Sequence, residues 1–291
     1  MKQNSARSLI LVVVPIVLGA LLALAGSQTN WLLGQWPAFA VAVTIAFVVQ
    51  WVAYIPAVLY RTDRYFDATG SATYFTVTLV LLLLAPSLEL RQVVLGVMVL
   101  LWALRLGSFL FVRNLRSGGD DRFDEIKNNP LRFLSVWTIQ GLWVSLTASA
   151  AWIAISSSNA SSSEWTIWVG GGIWLIGFTI EIVADWQKSH FKRQPENTGT
   201  FIQSGLWSVV RHPNYLGEIT LWIGVFVVAI PALHGWQWVA VLSPLFVIFL
   251  LTKVSGIPLL ETKAARKWGD EPDYQRYVAR TPRLIPFTGK R

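Results

Sequence analysis

The chain has no cysteine, two methionines and three histidines among its 291 residues. Without thiols there can be no disulfide, no thiolate nucleophile and no cysteine-based metal site. Charge is scarce as well. Only 14% of residues are Asp, Glu, Lys or Arg, against roughly 25% in soluble domains, so the membrane class leads. No polybasic run interleaved with aromatics is present, which argues against a nucleic-acid partner. No internal repeat is visible, so a symmetric transporter built from inverted halves gains no support. The glycines of "WVGGGIWLIG" follow no strand, which excludes a dinucleotide fingerprint; Gly170, Gly171, Gly172 and Gly177 read instead as points of close helix packing.

What the chain does have is apolar length: 54% of its residues are hydrophobic and 16 are tryptophan. Runs long enough to cross roughly 30 Å of hydrocarbon occur near 9–26, 36–59, 73–88, 92–112, 133–155, 165–185, 215–232 and 236–252. All but two of the 24 Lys and Arg fall in alternate connections, the exceptions being Arg91 and Arg105. By the positive-inside rule, both termini and those connections lie in the cytoplasm. The net charge of +8 is then a membrane-facing cytoplasmic surface. The pattern Ala23-Leu24-Ala25 resembles a signal-peptide cleavage site; if it were cut, seven spans would remain with the same orientation. The expected fold is an all-α, polytopic integral membrane bundle of seven or eight transmembrane helices. Residues 1–132 would form the substrate side, and 133–291 a catalytic and cofactor region within one integrated membrane domain.

Polar residues inside apolar runs mark candidate chemistry. Arg105 interrupts "LLWALRLGSFLF", and Glu181 and Asp185 in "FTIEIVADW" are spaced i, i+4 on one helix face. With Arg113, these residues form either a structural ion-pair network or the wall of a polar cavity. The connection "SSSNASSSE" (156–164) reads as a plain linker, whereas the long charged connections 113–132 and 186–210 can build a site. The tail from Lys253 contains one helix around Glu261–Lys267 and ends in "TPRLIPF", whose apolar character predicts that it folds back on the helices.

The most informative stretch is "SVVRHPNYLGEI", residues 208–219. Pro213 suits the first turn of a helix, which puts His212 near its N-cap and Asn214, Tyr215 and Glu218 in its first turns. The free N–H groups of such an end carry positive potential, and Arg211 adds a full charge, so the turn suits phosphate, pyrophosphate or carboxylate.

These residues carry a resemblance. "GLWSVVRHPNYLGEITLWIG" resembles the C-terminal signature of the membrane steroid 5-alpha-reductase superfamily, and more narrowly the branch described as a domain of unknown function, DUF1295. The likeness runs upstream through "EIVADWQKSHFK" and downstream to "YVARTPRLIPF", with weaker echoes in "DRYFDATGSATYF" and "LWALRLGSFLFVR". The Arg-His-Pro-x-Tyr core is also shared with isoprenylcysteine carboxyl methyltransferases. The resemblance implies a helical bundle that holds NADPH in a cytoplasmic cavity of a bacterial inner-membrane protein, with a lipid-like substrate entering from the bilayer. It puts Glu181, Asp185, Asn214, Tyr215 and Glu218 at the cofactor, Lys192 where the family has an Arg, and Tyr277 and Arg283 in the tail that closes over it. Arg113, Lys192, Arg211 and His212 would meet phosphates; Asp185 and Glu218 suit ribose hydroxyls or the nicotinamide amide. Two departures stand out. "NTGTF" replaces a cofactor-loop Tyr and Arg, and the Tyr that polarises the carbonyl of a steroid is Trp102 here, with no match for its partner Glu. Asp67 is the substitute carboxylate, with Tyr74 or Tyr215 as the donor to substrate oxygen.

The implied activity is NADPH-dependent reduction of an activated C=C bond in a steroid-like, isoprenoid or other lipid substrate. The alternatives are an S-adenosylmethionine-dependent methyltransferase of a lipid or isoprenyl substrate, and a transporter or lipid-binding membrane protein. Expected partners are the lipid-like substrate and membrane lipids; no metal, nucleic acid or protein partner is indicated.

Overall fold

The computed structural model describes residues 2–117, 123–124, 126–159, 163–286 and 288; for 2–5 and 113–117 it describes the backbone alone. Among the described residues the protein is all-α apart from a hairpin of two-residue strands, β1 (Leu32–Leu33) with β2 (Trp36–Pro37). Long helices follow in order: α1 (Lys2–Gly26), α2 (Ala38–Leu59), α3 (Phe66–Leu84), α4 (Leu90–Ser117), α5 (Pro130–Ser156) and α6 (Trp165–Arg193). After them come a short α7 (Leu206–Val209), then α8 (Pro213–Ala229), α9 (Leu242–Phe249), α10 (Ile257–Trp268) and α11 (Pro272–Arg280). Among the described residues, eight helical stretches are long and apolar enough to cross a membrane. This is a polytopic integral membrane protein, with spans where apolar length placed them.

Three of the boundaries that differ from the sequence reading bear on candidate site residues. Helix α3 begins at Phe66 rather than 73, because a polar first turn is no obstacle to a helix leaving the bilayer; Asp67 lies in that turn. Helix α6 runs on to Arg193 instead of stopping at 185, which carries Lys188 and Lys192 on the same rod as Asp185. The last apolar stretch continues through a π-helical turn, Leu250–Val254, almost directly into α10. Apolar criteria find where hydrocarbon ends, which is not where the helix ends.

The chain divides into two compact units, 1–167 with 228–243, and 168–227 with 244–291. In the first, α5 is the buried axis. Its sequence "TASAAWIAIS" is rich in small residues, which lets neighbouring backbones approach, and Trp137, Trp152 and Phe133 on it are fully buried. Polar side chains join the helices. Gln50 Nε2 donates to Thr73 Oγ1 (2.8 Å), Trp152 Nε1 to Thr78 Oγ1 (2.9 Å) and Trp51 Nε1 to Thr138 Oγ1 (3.1 Å). At one end the connections poor in Lys and Arg are knotted together. Trp31 N donates to Ser156 O, Ser157 Oγ to Ala232 O, and Asn159 Nδ2 to Thr29 Oγ1. The start of the serine-rich connection, Ser156 to Asn159, is thus anchored and is more than a linker. Exposed Trp36, Trp165 and Trp236 border this end, as interfacial aromatics do.

In the second unit, α6 and α8 touch backbone to backbone. A Cβ at Gly177 would meet Leu221 N at 2.5 Å and Gly217 O at 2.6 Å; one at Gly217 would meet Glu181 N at 2.6 Å; one at Gly224 would meet Gly170 O at 2.6 Å. Gly170 and Gly177 therefore serve close packing, while Gly171 and Gly172 have open space at Cβ. Replacing Gly217 with Ala should destabilise the protein by about 1–3 kcal/mol through overpacking. The same change at Gly171 should have no such effect in a thermal unfolding comparison.

Candidate functional site

The site grows from the turn between α7 and α8. Upstream, at the N-cap of α7, Gly205 adopts φ +60°, a conformation open to glycine at little cost, and this entry into α7 is fixed by Leu206 N donating to Gln187 Oε1 (3.0 Å). Trp207 is buried and its Nε1 donates to Ala184 O (3.1 Å), which locks the turn to α6. Pro213 opens α8, as its missing N–H allows. The tail then folds back: Arg211 N donates to Pro282 O (2.9 Å), His212 N to Arg283 O (3.2 Å), and the buried Tyr277 hydroxyl to Trp207 O (2.7 Å). Burial raises the Tyr277 phenol well above its ordinary range, so it stays a donor.

Between α6, the 200–207 loop, α10 and α11 lies a cavity of ≈ 300 Å³. Its cations are Lys188 and Lys192 from α6, Arg211 from the turn, and Lys263 and Lys267 from α10; its carboxylate is Glu261. Aromatic walls come from Phe191, Phe201, Trp207, Trp268, Tyr274 and Tyr277. Glu261 is the hub of the charges. One oxygen lies 2.9 Å from Arg211 Nη1 and 3.5 Å from His212 Nε2, the other 3.0 Å from Arg283 Nε. Lys188 sits 4.5 Å from the Trp207 ring centroid, a cation–π contact.

His212 is buried, and burial holds its imidazole below the ordinary histidine range. The contact with Glu261 pulls the other way, but at 3.5 Å it is at the limit of a hydrogen bond, and Lys188 and Arg211 also oppose a second cation. The ring is therefore neutral at pH 7. A histidine whose folded-state pKa is depressed contributes stability that is present above its unfolded pKa. That stability is lost as pH falls below about 6.5 towards the folded-state value. Thermal unfolding should show this decline between neutral and mildly acidic pH, and a His212→Gln variant should show a flatter one.

The residues singled out by sequence separate clearly. Lys192, Arg211, His212 and Tyr277 line the cavity, and Arg283 joins through Glu261. Tyr215 stacks on His212, with centroids 5.7 Å apart and planes at 11°. Behind them, Asn214 Nδ2 donates to Asp185 Oδ1 (3.2 Å). Asp185 and Glu181 are buried on α6, Glu181 beneath Gly217, and Glu218 is half-buried one turn along α8 from Asn214. Asp67 and Tyr74 belong to α3 of the first unit, where buried Tyr74 meets Trp102 edge-on at 5.0 Å. Arg105 lies in the first unit too, with its guanidinium 5.5 Å from the Phe109 ring centroid. The Arg113 side chain is outside the described residues. Sequence reasoning missed Glu261, Lys188, Lys263, Lys267, Trp268 and Tyr274 as site residues. The available signal was a carboxylate in a basic helix with no lysine or arginine four residues on.

The family model described as a protein of unknown function, DUF1295, matches residues 51–281. The chain belongs to this DUF1295 family. It is also similar to the steroid 5-alpha-reductase DET2 of Gossypium hirsutum, 28% identical over 141 residues, which is 47% of this chain and 50% of that protein. DET2 of Arabidopsis thaliana is 25% identical over 143 residues, 47% of this chain and 49% of that protein. The chain thus spans about half the length of the curated relatives it matches. No solved structure matches it. The DUF1295 chain is thus related to steroid 5-alpha-reductases over part of its length.

The residues fit a phosphorylated, aromatic ligand. Buried Arg211 Nε, His212 Nδ1 and Asn214 Oδ1 have no partner among the described residues, and unused buried polar atoms of this kind call for one. The cavity supplies cations for phosphate and flat rings for a base. Among the described residues, no group of three His, Asp or Glu is disposed to hold a metal ion.

Proposed function

We propose that this DUF1295 protein is an NADPH-dependent reductase of an activated C=C bond in a lipid-like substrate drawn from the bilayer. The observation that carries the reading is the joining of cationic, aromatic and orphaned polar groups around one ≈ 300 Å³ cavity in a chain related to steroid 5-alpha-reductases. That volume is at the lower end of ligand sites, about 300–1,000 Å³, and suits the adenosine-phosphate part of a dinucleotide.

Lys192 and the lysines facing it hold phosphate, and Tyr277 and Arg283 tie the tail over the ligand. Asp185, Asn214 and Glu218 offer acceptors for ribose hydroxyls or the nicotinamide amide. Bound NADPH supplies a hydride. A donor must then stabilise charge on the substrate oxygen as the enolate forms, and a proton drawn from the aqueous side completes the reduction at the alpha carbon. Tyr215, packed on neutral His212, is suited to donate that hydrogen bond. The apolar helices exclude water. Lys and Arg concentrate in the connections that build the cavity, which supports a cytoplasmic site; labelling of single cysteines introduced into this cysteine-free chain reads that orientation directly.

The test is oxidation of NADPH by detergent-purified protein against a panel of lipid enones, with product mass measured. A gain of two hydrogens in at least one substrate is expected. Methyl transfer from S-adenosylmethionine to a lipid, without consumption of NADPH, would replace this reading with the methyltransferase one.

A further inference from the structure

The cations lining the cavity are not equivalent. Arg211 is committed to Glu261 at 2.9 Å, and Arg283 takes the other carboxylate oxygen at 3.0 Å. Lys188 sits over the Trp207 ring. Lys192, Lys263 and Lys267 are different, and the last two share a helix. Both line the cavity from α10, and their i, i+4 spacing places them side by side on one face, with about 5–6 Å between Cβ atoms. Among the described residues neither has a carboxylate within ion-pair distance, and Lys267 has only the ring of its neighbour Trp268, at 4.7 Å.

Like charges at this spacing oppose helix formation. A cation in the last turn complements the helix dipole, which accounts for Lys267; Lys263 sits a turn earlier, where that effect has faded. A bound anion would relieve the repulsion between the two. Beside them, Phe201 packs against Trp268 (5.7 Å) and Tyr274 (5.1 Å), and all three rings line the cavity. A phosphate held by the lysines would therefore be one carried close to a flat base.

We propose that Lys263 and Lys267 form a phosphate clamp that reads a phosphate on the adenosine ribose of a dinucleotide whose base stacks on Phe201, Trp268 and Tyr274. The pair thereby selects the phosphorylated dinucleotide over the unphosphorylated one, a specificity that rests on the reductase reading above. It also moves the phosphate role away from Arg211 and His212, which Glu261 already engages.

Binding of NADPH and NADH to the full chain in detergent tests this. Wild type should prefer NADPH by about tenfold or more, as a charge-assisted contact to one phosphate supplies. Lys263→Gln with Lys267→Gln should remove that preference by weakening NADPH alone, while Lys263→Arg with Lys267→Arg should keep it. Equal weakening of both dinucleotides, or no change in either, would overturn the clamp. If wild type binds neither dinucleotide, the reductase reading fails by itself, and the clamp is judged with adenosine 2′,5′-bisphosphate against adenosine 5′-monophosphate. Preference for the bisphosphate, lost in the glutamine variant, upholds the clamp; no preference overturns it.

Discussion

Glu261→Ala should cost about 2–3 kcal/mol of stability and weaken NADPH binding at the same time. The stability loss follows from Arg211, whose side chain is 12% exposed and would be left without its carboxylate. Removing one partner of a fully buried ion pair costs about 3–5 kcal/mol, and the 20% exposure of Glu261 places this case below that range. Arg283 adds little, because its side chain is 68% exposed and solvent screens it. The binding result has the more informative sign. On charge alone, deleting a carboxylate beside a site for a polyanion would tighten binding. Weakening is expected because Glu261, bridging Arg211 and Arg283, ties the tail across the cavity. Glu261→Gln should fall between the two, since it keeps the shape and one acceptor. Tighter NADPH binding in either variant would show that Glu261 is only a competing charge.

Arg91→Met should be at least as damaging, through the first unit. Arg91 is buried, yet its partners are neutral: Nη1 donates to Thr166 Oγ1 (2.8 Å) and Val228 O, and Nη2 to Ser163 O (2.7 Å). One guanidinium thus ties the start of α4 to the start of α6 and the end of α8. Methionine fills much of the volume but satisfies none of those acceptors. Each buried acceptor left unmet costs about 1–3 kcal/mol, so a loss of about 3 kcal/mol or more is expected in reversible unfolding. NADPH affinity of the surviving folded protein should be unchanged. Arg91→Lys should recover only part of the loss, because an ammonium lacks the planar fork.

The helical fold was legible because hydrocarbon demands long apolar segments and backbone bonds closed within them. Eight runs announced themselves by length, and Pro213 announced the start of α8. The packing of Gly177 was legible from its type, but its partner was not: Gly217 sits 40 residues away, and no periodicity links the two. The site was half legible. Lys192, Arg211, His212 and Tyr277 share one cavity, whereas Glu261, Lys263 and Lys267 were hidden in what reads as an ordinary basic helix. A charged residue on an amphipathic helix looks the same whether it faces water or a cavity. The difference lies in which element covers it, and here that depends on the tail pairing with Arg211 and His212. The serine-rich connection misled for a similar reason, since its anchoring partners Thr29 and Ala232 are distant in sequence.

The central claim is that the Arg211–Glu261 cavity holds NADPH. Thermal unfolding of the detergent-purified chain tests it most directly, with NADPH and S-adenosylmethionine added separately. A ligand that binds only the folded state adds about 2.7 kcal/mol at a hundred times its Kd, and NADPH should do so in wild type and much less in Lys263→Gln with Lys267→Gln. Stabilisation by S-adenosylmethionine with none by NADPH would contradict the account.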